Sequence, residues 1–192
     1  MARGAALVHA GVLRHGSRVT SSAPRFAVLF TAQFAAVGVM LPFIPPLMAG
    51  RSLTPAEVGT ILTLGAAVRL VSGPLGGRLA DALGRPRGVI AAGSALAALA
   101  ACLYGLAEGF AWLLVANLLF AIAFACTVPL GDSLALRAAR EEGWDYSRVR
   151  AAGSVSFIVM AGAAGLLAER AGVGQVAWLL AAALAAAAVA AL

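Results

Sequence analysis

The chain has 192 residues, 62% hydrophobic and 11% charged, with a mean hydropathy of +0.95. That is too little polar surface to coat one water-soluble core, so lipid has to be the solvent. The formal charge of +6 comes from 14 basic residues, every one an arginine; they punctuate apolar runs instead of lining one face, which excludes a nucleic-acid-binding module.

Residues 1–25 carry Arg3, Arg14, Arg18 and Arg25 and no acid. The apolar stretch among them is short and interrupted by His9, which argues against a cleaved signal peptide and for a basic cytosolic tail; a transit peptide, or a start codon placed too early, fits the same composition. Beyond it, a bilayer-crossing helix needs about 20 apolar residues. Six stretches qualify: 26–48, 55–79, 89–107, 110–134, 151–168 and 174–192. The expected fold is all-α and integral to the membrane, a six-helix bundle over 26–192, with longer connections only after the second and fourth helices. Pro42, Pro45 and Pro46 are expected to end the first helix. Thr54, Pro55 and Glu57 supply a cap hydroxyl, a first-turn proline and a capping-box carboxylate for the second. Pro74 and Pro129 favour kinks in the second and fourth. Gly73, Gly76 and Gly77, with Gly162 and Gly165, predict close helix contacts or simply tight packing. Cys102 and Cys126 sit singly in apolar runs and read as small core residues. The last segment is nearly all alanine, leucine and valine and stops at Leu192 with no basic residue after it, which reads as a truncation.

Eleven arginines fall on one side of this arrangement (Arg3, Arg14, Arg18, Arg25, Arg78, Arg85, Arg87, Arg137, Arg140, Arg148, Arg150), two on the other (Arg51, Arg170), and Arg69 lies inside a helix. Positive-inside then places the amino terminus in the cytosol of a multi-pass protein of the inner or plasma membrane.

Two constellations carry chemistry. Gly77, Asp81, Gly84, Arg85 and Arg87 mark the turn between the second and third helices, where Asp81 is placed to pair with an arginine or cap the next helix. Asp132 and Arg150 lie nine residues either side of Glu141, so in a hairpin centred there they reach similar depth and can pair. A carboxylate near hydrocarbon costs about 2.5 to 3.5 kcal/mol at mid-bilayer, which makes a paired one a functional candidate. A plain salt bridge near the interface accounts for the pair equally well. Ser154 and Phe157 follow Arg150 at helical spacing, putting a hydroxyl and a ring on its face. Arg69 either snorkels to the inner interface or faces a cavity. Thr31, Gln33, Thr60 and Thr63 could donate to a solute or bond their own helix backbone. No cofactor or metal site is implied: His9 and His15 lie in the tail, and neither HExxH nor GxSxG occurs, which leaves little room for an enzyme.

The run Gly77-Arg-Leu-Ala-Asp81-Ala-Leu-Gly84-Arg85-Pro-Arg87 resembles the loop signature of the major facilitator superfamily, with Ala82 where a basic residue is usual. Together with Leu41-Pro42-Phe43-Ile-Pro45, Pro129-Leu-Gly-Asp132 and Tyr146-Ser-Arg148-Val-Arg150-Ala-Ala-Gly153-Ser154, it makes residues 26–192 similar to the amino-terminal half of the branch containing lactose permease, the nucleoside proton symporters and the phenylpropionate permeases. In the sugar permease a carboxylate three residues after the matching proline, and an arginine eighteen residues later, bind substrate; Asp132 and Arg150 keep that spacing. The permease has glutamate and tryptophan where Asp132 and Phe157 stand, so galactoside specificity is not implied. The resemblance implies secondary transport of a small organic solute by alternating access. A proton is the expected coupling ion, carried mainly by carboxylates of a second half. The alternative is a degenerate, non-transporting subunit that packs in the lipid bilayer and needs a partner half.

Overall fold

A computed structural model describes residues 21–192, and the expected basic tail with His9 and His15 lies outside them. The described elements are α1 (Ala23–Ala49), α2 (Pro55–Leu83), α3 (Pro86–Leu106), α4 (Gly109–Phe124), α5 (Thr127–Glu142), α6 (Tyr146–Ala171), a 3-10 turn at Val173–Gln175 and α7 (Val176–Ala190). No strand occurs among the described residues. α4 and α5 make one span, so among the described residues six spans are long and apolar enough to cross a membrane.

The spans overrun the apolar segments at their charged ends. α2 continues to Leu83, α5 reaches Glu142 and α6 begins at Tyr146, so the two connections expected to be long shrink to Gly84–Arg85 and residues 143–145. Hydropathy marks where lipid is; a helix goes on wherever its polar side chains can reach water. Gly143 closes α5 in the left-handed region at φ 76°, and the Asp145 carboxylate caps α6 by accepting from the Ser147 and Arg148 amides at 2.8 and 3.4 Å. At the other end of the bundle the Thr54–Glu57 capping box is formed: the Glu57 carboxylate accepts from the Thr54 amide at 2.8 Å, and the Thr54 hydroxyl accepts from the Glu57 amide at 3.3 Å.

The prolines of α1 correct an expectation. Pro42, Pro45 and Pro46 lie inside the helix, which runs on to Ala49. A proline forfeits only its own amide bond, and burial of Ile44, Leu47 and Met48 holds the segment helical. Pro129 does interrupt its span: it cannot donate to the Ala125 carbonyl, and the chain breaks at Ala125–Cys126. The Thr127 hydroxyl donates to the Phe124 carbonyl at 2.9 Å, and Gln33 of α1, fully buried, donates its amide to the Thr127 carbonyl at 3.0 Å. Gln33 is thereby a tie between α1 and the break. Thr60 bonds its own helix at Ala56.

α1 packs along α6 and α7, α3 along α7 and α4, and α2 mainly on α4. The main core joins Leu47, Met48, Ile61, Tyr104, Phe120 and Leu180. Close approach is set by small residues, of which only some are the expected ones. A Cβ on Gly38 would lie 2.5 Å from the Phe157 carbonyl oxygen, fixing the α1–α6 crossing. Gly76 abuts Cys126, whereas Gly77 and Gly162 face open space. α2 and α6 are the least covered spans, each with 11% of its apolar window buried against 33–44% for the other four.

Candidate functional site

The short turn at residues 143–145 returns the chain beside α5, and it is centred on Trp144 instead of Glu141. Asp132 consequently lies ten residues before the end of α5 and Arg150 only four after the start of α6. Equal depth therefore does not explain their meeting; the length of the arginine does. Arg150 Nε donates to Asp132 Oδ1 at 3.2 Å, with the two side chains 26% and 30% exposed. The same Oδ1 accepts the Tyr146 hydroxyl at 2.9 Å. α1 closes the other side: the Arg150 guanidinium carbon stands 3.8 Å from the centre of the Phe34 ring and 5.4 Å from that of Phe30. Phe30 in turn meets Tyr146 edge-on at 6.2 Å. Gly153 clears the space for this stack, since a Cβ there would lie 2.9 Å from Phe34.

The cluster is half-open and half-used. Both hydrogen bonds converge on Oδ1, and among the described residues nothing bonds Oδ2. The guanidinium is held by a carboxylate at its Nε edge and by rings on its face, which fixes its plane. A carboxylate with an oxygen to spare beside a ring-stacked guanidinium suits a polar solute that carries hydroxyls or a carboxylate.

Of the expected site residues, the structure brings together Asp132 and Arg150. Ser154 is exposed and makes no hydrogen bond among the described residues, and Phe157 meets α1 with its backbone at Gly38 instead of joining Arg150 through its ring. Asp81 forms no ion pair among the described residues, and α3 has no side-chain cap at Arg85, so neither role expected of Asp81 is seen. Most of the Gly77–Arg87 run is the helical end of α2, with Gly84 and Arg85 as the turn. Arg69 Nη2 approaches Met40 Sδ of α1 at 3.9 Å. Phe30, Phe34 and Tyr146 complete the site, and nothing in the sequence marks the two phenylalanines among the many apolar residues of α1. Tyr146 had one signal, its place in the stretch that precedes Arg150.

Residues 25–192 match the family model described as "MFS_1 like family". The chain is 32% identical over 145 residues to a maltose permease of Geobacillus stearothermophilus, covering 75% of the chain and 37% of that protein. It is 31% identical over 144 residues to a probable 3-phenylpropionic acid transporter of Escherichia coli (strain K12), covering 73% of the chain and 37% of that protein. The matched region thus spans little more than a third of each relative's length.

Proposed function

This chain belongs to the MFS_1 like family of the major facilitator superfamily, and from that premise we propose that it forms the amino-terminal half of a secondary active transporter for a small organic solute. Two six-helix halves would rock about a site near the midplane, with one half of its wall supplied here. The observation that carries this is the Asp132–Arg150–Tyr146 cluster on its Phe34 wall, polar groups held in order with valences left open inside an apolar span. The poorly covered faces of α2 and α6, including Leu70 at 79% exposed and Ile158 at 70%, support a second half seated across them. The arginine-rich ends, with the amino terminus, then face the cytosol, and the membrane is the inner or plasma membrane.

The test is uptake by the complete transporter in proteoliposomes, beginning with maltose and 3-phenylpropionate, the solutes in the two relatives' names. Asp132→Asn and Arg150→Leu each lower uptake about 100-fold, the scale of losing a charged hydrogen-bond partner, while membrane insertion is retained. Uptake unchanged in both variants sinks the site. Proton coupling is the further part of this proposal: uptake rises as the outside is acidified and collapses with a protonophore, and indifference to both removes it.

A further inference from the structure

Arg69 is an arginine that does not snorkel. It is the central residue of α2, with fourteen residues to either end of a helix about 42 Å long. An arginine escaping to the nearest arginine-rich interface would turn toward Leu83. Its Nη2 instead approaches Met40 Sδ at 3.9 Å. Met40 lies four residues, about 6 Å, from the midpoint of α1 and on the side of Ala49, the end that adjoins the start of α2. The side chain therefore leans toward its own helix N-terminus, as helical side chains do. Its charge stays near the centre of a hydrocarbon layer about 30 Å thick.

No carboxylate lies within 4 Å of that charge among the described residues, which place ion pairs on Arg51, Arg137, Arg148 and Arg150. Arg69 is exposed, and beside Met40 the face of α1 stays open at Leu41 and Pro42. A thioether is a feeble acceptor and cannot offset the cost of a guanidinium at this depth. The other guanidinium set against α1, that of Arg150, stacks on Phe34, six residues from Met40 or about 9 Å along the helix. Asp132 neutralises Arg150, and nothing among the described residues neutralises Arg69.

We propose that Arg69 is an anion subsite of the solute pathway, taking the carboxylate of an organic-acid solute whose other end, a ring or a second polar group, reaches the Asp132–Arg150 cluster and its phenylalanine rings. This rests on the transporter assignment made above and narrows its substrate class. A solute spanning the two positions places its negative group about 9 Å from the Phe34 stack along the α1 axis, within reach of a phenyl-bearing or dicarboxylic acid. The carboxylate satisfies a charge that otherwise has only Met40.

The experiment uses the complete transporter and matched pairs of probes, an acid and its neutral primary amide: 3-phenylpropionate, benzoate and succinate with their amides, and maltose as a neutral control. Binding is read from the solute-dependent rise in unfolding temperature. The wild type prefers the acid of at least one pair by about tenfold or more, the equivalent of 1.4 kcal/mol; Arg69→Gln levels that pair, Arg69→Lys keeps part of the preference, and Asp132→Asn weakens acid and amide alike. A panel in which no acid is preferred, or a preference that survives Arg69→Gln, overturns the assignment. So does an Arg69→Gln variant that loses stability without solute while keeping its acid preference, because the carboxylate then belongs to the second half of the protein. Loss of binding in Asp132→Asn alongside an unaltered preference in Arg69→Gln would leave the transporter standing and remove only this subsite.

Discussion

Two polar clusters sit within the same bundle and use their valences in opposite ways. Between α2, α3 and α4 the Tyr104 hydroxyl donates to Asn117 Oδ1 at 2.9 Å, and Asn117 Nδ2 donates to the Ile61 carbonyl at 2.8 Å. Tyr104 and Asn117 are 1% and 4% exposed, and the Asn117 amide lies so close to Gly65 that a Cβ there would collide with it. Between α1, α5 and α6, Asp132 and Arg150 are about a quarter to a third exposed and stop with Oδ2 free among the described residues. In lipid every buried polar group needs a partner. The first cluster finds all of its partners inside the protein and is a bolt between helices. The second leaves some to be supplied from outside, and that is the mark of a site.

Breaking the bolt gives the largest effect. Gly65→Ala sets a methyl group on the Asn117 amide, which forces the amide off both Tyr104 and Ile61 and spreads α2 from α4. The expected loss is about 2 to 3 kcal/mol, an overpacking cost joined to two broken bonds, read from the midpoint of denaturant unfolding in detergent. Solute affinity per folded molecule stays the same. A stable variant with altered affinity would erase the distinction between bolt and site. At the open cluster the order reverses. Tyr146→Phe deprives Asp132 Oδ1 of one donor and is expected to cost about 1 kcal/mol in solute binding, roughly fivefold in Kd, with stability barely moved. Phe34→Leu removes the ring face beneath the guanidinium and should weaken binding by about 0.5 to 1 kcal/mol; an unfolding midpoint that falls while affinity holds would make Phe34 part of the bolt instead.

The sequence made the fold more legible than the site. Apolar run length and the sidedness of the arginines announce six spans, because the bilayer imposes both on any chain that crosses it. Helix ends were less visible: Leu83, Glu142 and Tyr146 lie beyond the apolar runs, where helicity depends on caps such as Gly143 and Asp145 and not on hydropathy. Pro42 and Pro129 look alike as letters, yet one sits inside a continuous helix and the other follows a break, since the outcome depends on what packs around the freed carbonyl. At the site, Asp132 and Arg150 were legible as a spacing. Phe34 was not, because its ring has a role only once α6 lays an arginine across it. Arg69 was half legible: its depth follows from counting residues, and its direction follows only from Met40.

The smallest effect is the most discriminating. Tyr104→Phe removes one hydrogen bond of the closed cluster and no volume beyond the hydroxyl, leaving Asn117 bonded to Ile61. Hydrogen bonds between membrane helices average about 0.6 kcal/mol, so the unfolding midpoint should shift by that little, and transport should match the wild type. Tyr146→Phe is chemically the same change, one phenol hydroxyl taken from one side-chain oxygen. A shared denaturation profile with divergent transport would show that the two tyrosines differ in what remains when their bond is gone. Tyr104 leaves an amide still tied to the Ile61 carbonyl, and Tyr146 leaves a half-open carboxylate less firmly aimed at its solute. Equal transport in the two variants would mean that the open cluster, too, is only a bolt between helices.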